Sequence, residues 1–267
     1  MAGQPHKPKI LLSADGAIRY GLGAVLGEGK YGVVREALHL QTGAVVAVKS
    51  LDKRFLKKQR RGIENLKREI QVLKLLGSHS TIVVLKDVID IESKSKAHLV
   101  LDYMHCGSVQ DVLDRAPAGR LGQVQARRYF GDLIHALQHC HSMGVVHKDV
   151  KPENMMIDRK GSVHLSDFGC AELLERYDSQ DTCYRTLGSP AFQSPEIATG
   201  QETFSGYSAD VWAAGVTLYQ LVVGRTPFDA DNLVELFEKI GEAHVRSISA
   251  PANAGAIRMA CIPVWPV

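Results

Sequence analysis

Asp149, Lys151 and Asn154 stand close together in His147-Lys148-Asp149-Val150-Lys151-Pro152-Glu153-Asn154, and their types suit one chemistry. A carboxylate at Asp149 can accept the proton of a hydroxyl. The ammonium of Lys151 can offset charge on a moving phosphoryl group, and Asn154 offers a carbonyl oxygen to a hard cation. Such a set needs a second oxygen ligand for the cation, and Asp167 in Asp167-Phe168-Gly169 supplies one. The two stretches follow the H-R-D-x-x-x-x-N and D-F-G pattern, with Lys148 in the arginine place. Either tripeptide alone recurs by chance, but the ordered pair points to phosphoryl transfer with magnesium or manganese.

A phosphate-binding element is expected upstream. Gly27-Glu28-Gly29-Lys30-Tyr31-Gly32-Val33-Val34 reads G-x-G-x-x-G-x-V. Glycines at this spacing also open the helix of a dinucleotide fold, so the continuation decides. Val33-Val34 and Ala44-Val45-Val46-Ala47-Val48-Lys49 are β-branched runs separated by a turn at Thr42-Gly43, which predicts a hairpin with a glycine lid. Gly27, Gly29 and Gly32 would let the backbone lie close over a triphosphate, with Val34 and Ala47 as small walls for a planar base. Lys49 ends the second strand and needs an acidic partner. From Arg61 to Leu76, the residues Ile63, Leu66, Ile70 and Leu73 recur at helical spacing, and Glu69 shares their inward face while Glu64 aligns with Lys67 and Arg68. Glu69 is therefore the expected partner of Lys49.

These groups must be held by two kinds of architecture. Residues 1–19 read as a flexible lead-in, and from Tyr20 a lobe of five strands and one helix is expected, with further strands at Ile82–Leu85 and Ala97–Leu101 around a polar turn at Glu92–Lys96. The basic run from Lys53 to Arg68 reads as a solvated face. Asp102 to Gly107 is the natural connection, and Ser108-Val109-Gln110-Asp111 fits a capping box. Beyond it the pattern turns helical: Gln123–Ser142 with Ala126, Phe130, Leu133, Leu137 and Cys140 inward, and Ser208–Val223, whose buried Asp210 is expected to cap donors of the catalytic loop. A helix over Asp231–Ile240 should turn Leu233, Leu236, Phe237 and Ile240 inward. His139, His141 and His147 do not form a metal set, since neighbours on a helix point apart. The segment from Asp167 to Glu196 has the composition of a loop that can be ordered or modified. Thr182, Tyr184 and Thr186 are its candidate acceptors, and Cys170 reads as a packed thiol. Past Gly241 no periodicity is sustained, so residues 242–267 read as a divergent, poorly ordered tail.

Composition narrows the class. With 45% apolar and 23% charged residues a packed core is expected, and a net charge of +3 is too small for a nucleic-acid footprint. Cys106, Cys140, Cys170, Cys183 and Cys261 are irregularly spaced, which argues for a reducing compartment. No apolar run reaches membrane-spanning length, and there is no N-x-[ST] acceptor. A cytoplasmic protein is expected, with the nucleus as a second compartment.

From Tyr20 to Gly241 the chain resembles eukaryotic protein kinases, and Lys151 with Lys151-Pro152-Glu153-Asn154 resembles the serine/threonine class. His147-Lys148-Asp149, Asp181-Thr182-Cys183, Gly188-Ser189-Pro190-Ala191-Phe192-Gln193, Thr203-Phe204-Ser205-Gly206 and Ala214-Gly215-Val216-Thr217-Leu218-Tyr219 are similar to the liver kinase B family. The resemblance implies an α+β bilobal fold, with a β-rich N-lobe and hinge over 20–103 and a mostly helical C-lobe over 104–241. It further implies an ATP site that includes Leu26, Leu101, Asp102 and Met104. Ser189 is implied to contact the catalytic aspartate, and Phe168, Gly169 and Glu196 to have structural roles. Activation loops of AMP-activated-type kinases are the implied substrates, and a pseudokinase adaptor and an armadillo-type scaffold the implied partners. The chain departs from that family at Phe168 and Glu153, and Ser194-Pro195-Glu196 is a variant of A-P-E with serine for alanine. The chain also lacks the family's last helices and the arginine that pairs with Glu196, so a C-terminally truncated or divergent, incomplete C-lobe is expected. The alternative function is then a catalytically weak protein that binds nucleotide or an adaptor.

Overall fold

The computed structural model describes residues 9–13, 16–29, 32–59, 61–89, 95–174, 181–184 and 188–242. Its first lobe is an antiparallel sheet of β1 (Lys9–Leu12), β2 (Arg19–Gly29), β3 (Gly32–His39), β4 (Val45–Asp52), β5 (Leu85–Ile89) and β6 (Lys96–Asp102), in the order β1-β2-β3-β4-β6-β5. One side of this sheet closes over Tyr20, Ala37, Val46, Val48, Ile89 and Val100. The other side receives α2 (Gly62–Leu76), whose Leu66, Ile70 and Leu73 are buried while Glu64 stays exposed.

Four expectations for this lobe are corrected. Part of the lead-in is structured: Lys9–Leu12 pairs with Arg19–Leu22, because Leu11 and Ile18 add apolar surface beside Tyr20. Among the described residues the lobe thus has six strands. It also has a second helix, α1 (Lys53–Lys58), capped by Asp52, which accepts from Arg54 N at 2.9 Å. Lys53 in that helix is buried rather than part of a solvated face. Gly62 lets α1 pack against α2, since a Cβ there would lie 2.2 Å from Leu56 O. Finally, Ile82–Leu85 is not a strand of the sheet. Ile82 bridges to Leu165 of the second lobe, Leu165 N donates to Thr81 O at 2.8 Å, and the sheet strand begins at Leu85. This apolar stretch couples the lobes instead of extending one.

The second lobe is built on α4 (Gln123–Ser142) and α6 (Gly206–Val223), which pack against each other. Leu133, Leu137 and Cys140 are buried as expected, although Tyr129 takes the deeper place beside a half-buried Phe130. Helix α3 (Val109–Arg115) starts with a complete capping box between Ser108 and Asp111. Short strands β7 (Val145–Val146), β8 (Met155–Ile157) and β9 (Val163–Leu165) carry the loops of the site, and β10 (Glu172–Leu173) pairs with β7. Further on, β11 (Thr182–Cys183) pairs with β12 (Phe204–Ser205) ahead of α6, and α5 (Pro195–Ala198) and α7 (Leu233–Gly241) pack together. Leu236 and Ile240 of α7 are buried, but Leu233 is 57% exposed. As the first residue after the Asn232 cap it lies beyond the face that meets the core. The segment read as a tail lies, past Glu242, outside the described residues.

Candidate active site

A cleft of about 280 Å³ opens between the lobes, lined by Leu26, Gly27, Val34, Ala47, Lys49, Glu69, Leu101, Asp102, Met104 and Asp167, and by Leu73, Val83, Tyr103, Met156 and Ser166. Strands β2, β3, β4 and β6 form its roof and back, while β8 and the residues after β9 form its floor. The period-two alternation of β3 and β4 turns Val34 and Lys49, which are register partners, to the same face.

Of the three lid glycines, only Gly27 lines this cleft. Its missing Cβ would meet nothing within 4 Å, whereas a Cβ on Gly32 would lie 2.0 Å from Ser50 O. Gly32 is therefore required by the approach of β3 to β4, a reason separate from phosphate binding. Gly29 pairs with Gly32 at the end of the hairpin, and residues 30–31 between them lie outside the described set.

Lys49 Nζ lies 2.7 Å from Glu69 Oε1 and 2.8 Å from Asp167 Oδ1. Burial disfavours its ammonium, but the two carboxylates outweigh that and hold the lysine above its ordinary range. Asp167 is correspondingly held below the usual carboxylate range, chiefly by the charge of Lys49. Glu69 is reached because it follows Leu66 by three residues on the buried face of α2, and its own exposure is only 5%. Asp167 adopts a left-handed backbone (φ 58°), which places its carboxylate in the cleft while Phe168 is buried edge-on to His147.

The loop after β7 is gripped from below. Asp210 of α6, 1% exposed, accepts from His147 N and Lys148 N, each at 2.8 Å, and His141 Nε2 lies 2.9 Å from it. This is the cap expected for Asp210. His147 accepts at Nδ1 from Asp149 N and donates from Nε2 to Ser166 O at 3.0 Å, which joins the loop to the stretch bearing Asp167. His139 Nε2 reaches Leu76 O at 2.9 Å, so these histidines serve separate structural ends.

Around Asp149 four donors converge. Oδ1 accepts from Ser189 N (2.8 Å) and Ser189 Oγ (2.9 Å), and Oδ2 from Asn154 Nδ2 (3.0 Å) and Lys151 Nζ (3.0 Å). Lys151 Nζ also donates to Ser189 Oγ at 2.6 Å, so a hydroxyl already sits between the acid and the ammonium. Gly188, at φ 103°, makes this approach possible, since a Cβ there would lie 2.2 Å from Lys148 O. Asn154 commits its amide nitrogen to Asp149, at the carbonyl and the carboxylate. Its carbonyl oxygen and the cleft-facing carboxylate of Asp167 are then the hard donors that fit a magnesium-type cation.

Lys148, also left-handed (φ 66°), turns away from the cleft and pairs with Glu172 at 2.7 Å over the ring of Phe204. Thr182 is half-buried in β11, Tyr184 is 68% exposed, and Thr186 lies outside the described residues. The Glu196 carboxylate, in the first turn of α5, meets no cation among the described residues.

Val83, Tyr103, Met156 and Ser166 line the cleft without having been singled out in the sequence, and Leu73 was read there only as an inward residue of its helix. Leu73 was within reach, as it follows Glu69 by one helical turn. Glu172 also escaped, because an isolated acid in a polar segment gives no periodic signal, and Asp181 was noted only as part of Asp181-Thr182-Cys183.

A profile described as the protein kinase domain matches residues 20–258, continuing past Gly241. The chain is 44% identical over 252 residues to serine/threonine-protein kinase STK11 of Homo sapiens, covering 94% of this chain and 56% of that protein. It is 46% identical to STK11 of Gallus gallus, covering 90% and 53%, and 38% identical to CBL-interacting protein kinase 1 of Oryza sativa subsp. japonica, covering 90% and 51%. The chain thus spans about half the length of the curated relatives it matches. With the profile covering most of its residues, and with Asp149, Asn154, Asp167 and Lys49 gathered in one interlobe cleft, the chain belongs to the protein kinase family.

Proposed function

We propose that this chain transfers the γ-phosphoryl group of ATP, with magnesium or manganese, to serine or threonine hydroxyls of protein substrates. The observation that carries the reading is the convergence on Asp149. A carboxylate, an ammonium and a hydroxyl are arranged there as an attacking hydroxyl would require, on the same floor as the Asn154 and Asp167 oxygens. Bound MgATP supplies the phosphoryl group and the metal charge. Lys49, steadied by Glu69, holds phosphate oxygens, and Leu26, Gly27, Val34, Ala47, Leu101, Asp102 and Met104 enclose the nucleotide. Asn154 and Asp167 provide the metal oxygens. Asp149 orients the substrate hydroxyl and accepts its proton as Ser189 yields its place, and Lys151 offsets charge on the transferred group.

The similarity to STK11 supports the finer reading that activation loops of AMP-activated-type kinases are the substrates, with a pseudokinase adaptor and an armadillo-type scaffold as activating partners in the cytoplasm or nucleus. The test is transfer of labelled phosphate from MgATP to an activation-loop peptide, with and without the partners. Incorporation that is lost in Asp167→Ala is expected, and equal incorporation by that variant would overturn the proposal. A second reading, a chain that binds nucleotide with little turnover, is favoured by the Glu196 carboxylate, which has no cationic partner among the described residues. MgATP-dependent thermal stabilisation without transfer would select it.

A further inference from the structure

We infer that copies of this chain bind one another head to tail, the basic surface of α1 and α2 on one copy meeting the acidic surface of α7 on the next. Helix α1 leaves Phe55 55% exposed, and Lys58 Nζ stands 5.9 Å from the centre of its ring. Lys57 and Lys58 of that helix and Lys67 of α2 are exposed and have no carboxylate partner among the described residues. The nearby acids are taken. Asp52 is held by Arg54 at 2.7 Å, Glu64 lies 3.7 Å from Arg61, and Glu69 turns inward to Lys49. An aromatic ring set among unopposed ammonium groups suits a partner that brings both carboxylates and apolar side chains.

Helix α7 carries that chemistry. Asn232 caps it, and Leu236 and Ile240 face the core, which leaves Leu233 57% and Val234 69% exposed. Val234, Glu238 and Glu242 follow at intervals of four, so they lie along one side. Glu238 and Glu242 are exposed and, like Asp231 just ahead of the helix, meet no cation among the described residues. The helix's own Lys239 is committed, to Glu235 at 2.7 Å and to Asp229 O at 2.9 Å.

Each surface offers what the other lacks, and both are open on one chain. Helices α1 and α2 belong to the first lobe, while α7 packs against α5 of the second, so neither surface covers the other. A second copy supplies the complement to both. The exposed charges would steer and orient the approach and weaken with salt, and Phe55, Leu233 and Val234 would supply the apolar area. Because the two surfaces differ, the contact is heterologous and can repeat from copy to copy. Association needs no turnover, so it holds or fails independently of the kinase reading.

Sedimentation of the full chain without nucleotide, from about 1 to about 100 μM, tests this. In about 50 mM salt the average mass is expected to rise with concentration, and in about 500 mM salt to return towards that of one chain. Lys58→Glu and Glu238→Lys should each weaken association about tenfold, since a like-charge contact replaces an opposite one, with melting temperatures near that of the parent. Phe55→Ser, which removes apolar area without changing charge, should weaken it as well. The deciding measurement is the equimolar mixture of the two charge-reversal variants. There an intact basic surface on Glu238→Lys meets an intact acidic surface on Lys58→Glu, so a heavier species should form that neither variant reaches alone at the same concentration. A single-chain mass at every concentration in low salt would overturn the proposal. So would growth that both reversals leave unchanged, or a mixture no heavier than its components, which would leave these surfaces to other partners.

Discussion

The two sides of the cleft are held in opposite ways. On the nucleotide side, Lys49 is joined to Glu69 and Asp167 by ion pairs of 2.7 and 2.8 Å drawn from three separate segments, and the Asp167 side chain is 51% exposed. On the substrate side, Asp149 sits on a loop whose backbone donors end on Asp210, a carboxylate 1% exposed. Charge joins two sheltered side chains to an open carboxylate in the first case, and sealed hydrogen bonds fix a loop in the second. Water can reach Asp167 in the first arrangement but hardly reaches Asp210 in the second.

The largest effect expected from this contrast is chemical. Asp149→Asn should lower turnover by about 10²–10⁴-fold, the usual contribution of a positioned base, while MgATP still raises the melting temperature. A comparable loss of nucleotide binding would show that the two sides are not separable. Next in size is Asp210→Ala, which strands the buried His147 and Lys148 amides. At about 1–3 kcal/mol for each unsatisfied donor, it should cost a few kcal/mol in chemical denaturation. Near-wild-type stability would mean that the floor is not held as described. Glu69→Gln should act more mildly, because Lys49 keeps Asp167. A fall of about tenfold in kcat/KM, for a lost charge-assisted bond, with stability nearly unchanged, is the expected result.

Much of this division was legible in the sequence because it follows periodic or fixed-spacing signals. Glu69 was found from the helical repeat of Leu66, Ile70 and Leu73, and Asp210 from its place in an apolar helix. The capping box at Ser108 and the Ser189 contact were expected and are present. What escaped depends on tertiary neighbours. Nothing local says that Leu11 finds a strand partner, or that Ile82 pairs with Leu165 in the other lobe rather than in the sheet. The role of Gly32 was likewise hidden, since Ser50 O comes near it only once β3 and β4 have paired.

The cysteines offer a gentler probe of the same contrast. Burial, the leading cause in each case, pushes the Cys140, Cys170 and Cys183 thiols up to about 12, 11 and 12, and the charges of Asp149 and Asp167 add to the effect at Cys170. Cys106, in the connection between lobes, is exposed. Mass mapping after brief alkylation of the native protein should find Cys106 labelled and these three spared until denaturant is added. Early labelling of Cys170 would show that the floor beside Asp149 opens to solvent.

The smallest effect belongs to the joint at the back of the lobes. His79 stacks on His139 with ring centroids 4.0 Å apart, and its Nδ1 lies 3.0 Å from Thr81 Oγ1 and within reach of Thr81 N as an acceptor. Burial, followed by the neighbouring His139 and His135, holds its pKa below the ordinary value of 6.5. The unfolded chain therefore binds this proton more readily than the folded one. The stabilising contribution is fully present above the ordinary histidine range and is lost as pH falls through the lowered folded value. Denaturation midpoints measured from about pH 7 to about pH 5 should decline, with part of the slope removed in His79→Gln. Because Thr81 and Ile82 carry the contacts to Leu165, the same acidification should weaken the link between lobes before it reaches the Asp210 floor. Hydrogen exchange that rises first at 147–149 would reverse that order and, with it, the view that the floor is the more firmly held side.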